Sequence, residues 1–185
     1  ETFLKTAFGV ALFMMAIILV TQFNSFYSTG LILSAVIMST VGVMLGLLAI
    51  GQAFSIVMSG IGVIALAGIV VNNNIVLIDT FDRLRATVSD TKTAILLTGV
   101  QRMRPVLLTA TTTILGVLPM VLQINIDFAT RGVSFGAPST QWWVQISTAI
   151  AFGLTFATVL TLIVTPCALM LRSDVVGWRN RAQTA

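Results

Sequence analysis

The 73 residues from Thr6 to Ile78 contain no Asp, Glu, Lys or Arg. A helix needs about 20 apolar residues to cross the hydrocarbon core of a bilayer, so a stretch of this length predicts three crossings joined by short turns. Only 9% of the whole chain is charged, against roughly 25% in soluble domains. So few charges cannot cover a soluble surface, and we therefore predict an all-α integral membrane protein.

Polar residues divide the sequence into about five predicted transmembrane helices. The predicted spans are residues 4–21, 29–50, 54–79, 105–123 and 142–171. Ser89 and Asp90 can cap a short amphipathic helix over residues 89–102, which we expect to lie along the cytoplasmic surface of the membrane. Pro105 suits the first turn of the fourth span. We expect one helix bundle over residues 1–172, followed by a cytoplasmic tail over residues 173–185.

Basic residues between the predicted spans collect on one side of the membrane. That side holds eight of them: Arg83, Arg85, Lys92, Arg102, Arg104, Arg172, Arg179 and Arg181. The other side holds Lys5 and Arg131. Because positive residues favour cytoplasmic loops, we predict a cytoplasmic carboxyl terminus and an external residue 1. The chain begins with Glu1 rather than Met, and we expect it to be part of a longer protein.

Composition excludes several classes of function. The basic residues are dispersed, whereas nucleic-acid binding requires a basic patch. The sequence has one cysteine, Cys167, and no histidine, which excludes an intrachain disulfide, a cysteine or histidine metal centre and a Ser-His catalytic triad. It also lacks a glycine-rich phosphate-binding motif. We therefore predict no enzyme, cofactor, bound metal or nucleic-acid partner, and expect membrane lipid around the helices.

Three consecutive asparagines, Asn72, Asn73 and Asn74, lie inside the third predicted span. They cover about 200° of the helix surface, so at least one of them must face another helix or a hydrated path. Gly68 and Ala65 share the face of Asn72 and would let another helix approach closely. The residues alone leave two interpretations open. The asparagines either hold helices together or belong to an ion or proton relay.

Small and hydroxyl residues form further stripes at helical spacing. The fourth span carries Thr109, Thr112, Thr113 and Gly116, and the last carries Thr148, Thr155, Thr158 and Thr165. Threonine can bond back to its own helix, so such a stripe by itself favours packing. Gly42 and Gly46 form a GxxxG step in the second span, which is typical of helix packing.

Three linked segments lie in the third and fourth predicted spans and in the stretch that joins them. They are GIVVNNNIVLID at residues 68–79, RMRPVLLT at residues 102–109 and ILGVLP at residues 114–119. They resemble the resistance-nodulation-division (RND) inner-membrane efflux pumps, specifically the AcrB-like hydrophobe/amphiphile branch. The likeness follows the whole chain in order, and the five predicted spans are similar to the eighth to twelfth spans of such a pump. The chain is thus identified as the carboxyl-terminal transmembrane portion of an RND permease.

The resemblance implies a trimeric bacterial inner-membrane pump that exports drugs or other amphiphiles by proton antiport and confers multidrug resistance. It implies a periplasmic adaptor and an outer-membrane channel as partners. The relay positions of the tenth span fall on Asn72 and Asn73, the eleventh-span hydroxyl falls on Thr109, and Arg102 matches an arginine at the cytoplasmic mouth. Many drug pumps carry Lys in place of Asn72. A neutral amide can instead hydrogen-bond a carboxylate in either protonation state.

The resemblance places the carboxylate pair and the substrate-binding domains in an amino-terminal part outside this chain. Two other functions fit the residues. One is a membrane scaffold or assembly subunit whose Asn and Thr stripes only hold helices together. The other is an RND-family transporter of metal ions, lipids or protein. The sequence has no cluster of Met or carboxylate residues, which favours amphiphiles over metal ions.

Overall fold

A computed structural model of the chain describes residues 2–127, 132–136 and 138–183. The helices are α1 Thr2–Phe23, α2 Phe26–Ile50, α3 Met58–Thr87, α4 Thr91–Val121 and α5 Pro138–Gln183, and the strands are β1 Ile124–Asp127 and β2 Gly132–Phe135. Five helices in this part of the chain are long and apolar enough to cross a bilayer. The predicted all-α membrane bundle with five spanning helices is therefore confirmed.

The first two turns lie where the polar interruptions predicted them. Asn24 has a positive φ of 45°, and the Ser25 side chain caps α2 by accepting a hydrogen bond from the Ser28 backbone N–H. At the other end of α2, Gly51 adopts the left-handed conformation with φ 72°. Glycine favours this conformation because it has no Cβ. These local features end one helix and start the next without any charged residue.

The structure corrects the predicted boundary at Pro105. The separate interfacial helix over residues 89–102 and the span beginning at residue 105 are one continuous helix, α4, with Pro105 inside it. The first turns of α4 do not lie free along a surface, because Ala94 and Ile95 are buried against Phe81 of α3 and Leu169 of α5. The part of α4 after Pro105 contributes Ala110 to the main core, so neighbouring helices hold α4 on both sides of a residue that usually interrupts a helix.

Two other helices extend beyond their predicted bounds, and the loop between α4 and α5 contains strands. Helix α3 continues past Asp79, where an Asp79–Arg83 ion pair of 3.1 Å links successive turns. Helix α5 begins at Pro138 and runs through the predicted tail to Gln183. The connector before it forms an antiparallel ribbon in which Ile124 pairs with Phe135.

Helix α5 lies at the centre of the bundle and packs against α2, α3 and α4. The core is formed by buried apolar residues of these helices, including Ile32, Val36, Val43, Leu66, Val70, Ala149 and Leu154. Two glycines bring α2 close to α5. A Cβ built on Gly42 would lie 2.5 Å from Cβ of Phe156, and one on Gly46 would overlap Cβ of Phe152. Helix α1 is peripheral and contributes Leu19 to the core.

Candidate functional site

The three asparagines of α3 have three different environments. Asn72 is exposed, Asn73 is half-buried and Asn74 is fully buried. Successive residues of a helix are about 100° apart, so Asn72 and Asn74 lie on nearly opposite sides of α3. The triplet therefore runs from the open surface of the described bundle into its core.

The exposed side of α3 carries small and polar residues. Ala65, Gly68 and Asn72 are all exposed, and a Cβ built on Gly68 would meet no atom within 4 Å. We call these three residues the open face of α3. Within the described residues no helix packs closely at Gly68, which sequence analysis expected to be a packing position.

Helix α4 has a similar surface. Thr109, Thr112 and Gly116 are exposed, Thr113 is half-buried, and a Cβ on Gly116 would also meet nothing within 4 Å. We call the exposed three the open face of α4. The Thr109 hydroxyl donates to the Val106 carbonyl at 3.0 Å, and the other two hydroxyls likewise bond to carbonyls of their own helix. The structure therefore leaves Thr109 and Asn72 uncovered and records no hydrogen bond between them in the described part.

Arg102 links α4 to α3 near the basic end of the bundle. It is half-buried, and its Nε donates a hydrogen bond to the Thr80 hydroxyl oxygen. That hydroxyl in turn donates to the Val76 carbonyl at 2.8 Å, so it acts as donor and acceptor at once. Thr80 was not predicted as a site residue, because a lone threonine after a carboxylate gives no sign of its hydrogen-bond partner.

A buried polar cluster joins α3 to α5. Asn74 is 0% exposed, and Thr161 and Thr165 of α5 are 3% and 2% exposed. The Thr165 hydroxyl donates to Asn74 Oδ1 at 3.2 Å, and Asn74 Nδ2 lies 3.5 Å from the Thr161 hydroxyl oxygen. Asn74 was predicted only as one member of the polar triplet, and Thr161 was not predicted. The helical spacing of Thr158, Thr161 and Thr165 could have marked the α5 side of this cluster.

Two threonines of the predicted α5 stripe lack such partners. Thr148 and Thr158 are buried, and their hydroxyl oxygens have no hydrogen-bond partner among the described residues. Thr155 bonds to the Ala151 carbonyl of its own helix at 2.7 Å. The four threonines thus differ in their hydrogen-bond partners, and Thr165 bonds to another helix.

The start of α2 and the carboxyl-terminal part of α5 are also joined. The Tyr27 hydroxyl donates to the Ala168 carbonyl at 2.7 Å, and the Arg172 guanidinium lies 5.1 Å from the centre of the Tyr27 ring. This distance is within the range of a cation–π contact.

The described residues contain no group of three or more metal-ligating side chains.

The chain is similar in sequence to a known family of proteins over most of its length. The AcrB/AcrD/AcrF family matches residues 2–172. The swarming motility protein SwrC of Bacillus subtilis is 31% identical over 165 residues, which are 89% of this chain and 14% of that protein. The nickel and cobalt resistance protein CnrA of Cupriavidus metallidurans is 33% identical over 159 residues, which are 85% of this chain and 14% of that protein.

The fold is also similar to part of a protein of known structure. The crystal structure of a heavy metal efflux pump superposes with a TM-score of 0.70 and 29% identity, over 90% of this chain and 15% of that one. The chain thus spans 14–15% of the length of these relatives. Two of the three are named for metals, so the narrower prediction of the hydrophobe/amphiphile branch is not supported.

The order of the helices, the segment motifs and the family match agree over nearly the whole chain. The described part is an all-α bundle with five helices long and apolar enough to cross a membrane, and the chain belongs to the AcrB/AcrD/AcrF family of RND permeases.

Proposed function

We propose that this chain is the carboxyl-terminal membrane segment of a proton-driven RND efflux pump, and that Asn72, Asn73, Thr109 and Arg102 form its share of the proton relay. The observation that carries the proposal is the pair of open faces on α3 and α4. Each combines a polar side chain with glycine, on a helix that is long and apolar enough to span a membrane.

An amide in contact with hydrocarbon is unfavourable, because it loses the hydrogen bonds that water would supply. Glycine in the same face lets another helix approach closely. Both features favour a cover of further helices, which we propose come from the amino-terminal part of the same pump. A carboxylate pair on such a helix would meet Asn72, whose amide offers a donor and an acceptor to either protonation state.

We propose a divalent metal ion as the cargo, in place of the drugs or amphiphiles that sequence analysis ranked first. The support is the relatives CnrA, named for nickel and cobalt resistance, and the heavy metal efflux pump of known structure. The preference for amphiphiles came from the resemblance to the AcrB-like branch, with the absence of a metal-ligand cluster from this segment as a further argument. In the proposed pump, cargo is selected by domains that lie outside the segment.

The proposed topology places the carboxyl terminus in the cytoplasm. Arg83 and Arg85 at the end of α3, Lys92 at the start of α4 and Arg172 near the end of α5 carry the positive charge that favours that side. The side chains of Arg131, Arg179 and Arg181, which entered the same prediction, lie outside the described part. A homotrimer with a periplasmic adaptor and an outer-membrane channel is the assembly we propose.

Growth of a metal-sensitive and drug-sensitive bacterial strain tests this function. The gene for the full-length pump should restore growth in nickel, cobalt or zinc salts. Asn72→Ala and Thr109→Ala should each abolish that resistance while expression and trimer assembly persist. Thr158→Val is the matched control, because it removes a buried hydroxyl that has no partner in the described residues.

The outcomes separate the alternatives. Full resistance in both variants would overturn the relay and favour the scaffold interpretation, in which the Asn and Thr residues only pack helices. Resistance to amphiphilic drugs without resistance to metals would overturn the proposal of a metal cargo but would not contradict the proposed relay.

A further inference from the structure

The amide of Asn74 is held by α5 in the core of the bundle. Its Nδ2 donates to the Val70 carbonyl of its own helix at 3.0 Å and approaches the Thr161 hydroxyl of α5, while its Oδ1 accepts from Thr165. An amide has fixed donor and acceptor sides. These contacts therefore fix the rotation of α3 about its own axis as well as its distance from α5.

The sequence of α3 would allow another rotation to present an amide to α5. Asn72, Asn73 and Asn74 are chemically identical, and turning the helix by about 100° would bring Asn73 to the threonines in place of Asn74. Val70, Leu77 and Ile78 are buried on the side of Asn74, so apolar packing favours the same rotation that the Asn74 contacts fix. In that rotation Asn72, about 200° away, lies on the open face of α3.

We infer that Asn74 is a positioning residue for the relay: its buried contacts with Thr161 and Thr165 aim Asn72 at the open face of α3. The inference rests on the proposed function, in which Asn72 exchanges hydrogen bonds with proton-carrying groups on that face. A hydrogen bond in a relay requires heavy atoms within about 3.2 Å of each other. A small rotation of α3 is therefore enough to disturb proton transfer without unfolding the bundle.

The test uses the full-length pump in proteoliposomes and measures the rate of transport as a function of pH. Asn72→Ser is the reference variant, since its shorter side chain weakens the relay directly. Asn74→Leu replaces the amide that contacts Thr161 and Thr165 by an apolar side chain of similar size. Thr165→Val removes only the hydroxyl that donates to Asn74. Thr158→Val is the isosteric control, because Thr158 lies two turns earlier on the same face of α5 and its buried hydroxyl has no hydrogen-bond partner in the described residues.

We expect Asn74→Leu and Thr165→Val to lower transport by about tenfold to a hundredfold, the scale of a misplaced reacting group. Both should shift the pH midpoint of transport in the same direction as Asn72→Ser. The double variant Asn72→Ser/Asn74→Leu should be no slower than the slower single variant, because the two residues act on one step. Thr158→Val should retain the rate and the midpoint.

Each contrary result has a separate meaning. An unchanged midpoint in Asn74→Leu and Thr165→Val, with fold-losses that multiply with that of Asn72→Ser, would overturn the positioning role. If Asn72→Ser itself keeps the original midpoint and rate, the proposed relay fails, and the inference fails with it. If Asn74→Leu does not assemble as a trimer, Thr165→Val decides the matter, because valine matches threonine in shape.

Discussion

Gly46 of α2 lies directly against the side chain of Phe152 of α5, so closely that a Cβ at position 46 would overlap the Cβ of the phenylalanine. Gly42 has the same relationship to Phe156 one turn earlier. The two glycines thus form a groove that receives two aromatic side chains, and this contact fixes α2 to the central helix.

Gly46→Ala should destabilise the pump, because the added methyl group must displace the backbone or the Phe152 side chain. Overpacking of this kind costs about 1–3 kcal/mol, which should appear as a lower midpoint of thermal denaturation in detergent. Gly30→Ala in the same helix is the matched control, since a Cβ there would meet nothing within 4 Å. Equal stability of the two variants would contradict the close contact.

Gly68→Leu tests whether the open face of α3 is covered in the whole pump. If another helix packs against this face, as proposed, leucine should block the approach and abolish transport. If the face meets lipid, leucine should be tolerated, because it favours a helix more than glycine does. Transport assays with Gly9→Leu give the comparison, since Gly9 of α1 is also exposed with nothing within 4 Å of a built Cβ. Normal transport by Gly68→Leu would contradict the proposal that another helix packs against the open face of α3.

Asp90 caps α4, and its cap should depend on pH. The Thr93 hydroxyl donates to the carboxylate at 2.7 Å and the Thr93 backbone N–H at 3.2 Å, and these bonds hold the pKa of Asp90 below its ordinary value of 3.8. Hydrogen bonds to the charged form have this effect. The stabilisation is therefore complete above the ordinary pKa and is lost as the pH falls through the lowered one.

Amide hydrogen exchange in the first turn of α4 measures this cap. Asp90→Ala should raise the exchange rate at neutral pH, because the first backbone N–H groups lose their acceptor. Asp90→Asn should keep a cap whose strength does not change across the carboxyl titration. Identical exchange in the wild type and Asp90→Ala would contradict the capping role.

The sequence was sufficient to predict the five spanning helices and the first turns, because charge and apolar length determine them locally. It was wrong at Pro105, where a proline that is typical of a helix start lies inside α4. The part before Pro105 packs through Ala94 and Ile95 against Phe81 and Leu169, and the part after it contributes Ala110 to the main core. Such contacts depend on which helices are neighbours, and helical periodicity does not contain that information.

The candidate site was predicted in part for the same reason. The pattern singled out a polar triplet on α3, but it could not show that Asn74 faces Thr165 while Asn72 faces outward. The preference for amphiphilic cargo came from the resemblance to the AcrB-like branch, since the sequence of this segment contains no cargo-binding residues that separate the branches. Similarity to a metal-resistance protein supports the metal cargo that we propose instead.

The most direct test of the account is cation transport by the full-length pump in proteoliposomes under an imposed pH gradient. Wild-type pump should move a divalent metal ion only while the gradient lasts, and proton uptake should accompany it. Asn72→Ala and Thr109→Ala should each reduce both fluxes by roughly a hundredfold or more, the scale on which positioned proton-transfer groups act. Wild-type fluxes in both variants would contradict the claim that these two side chains carry the protons.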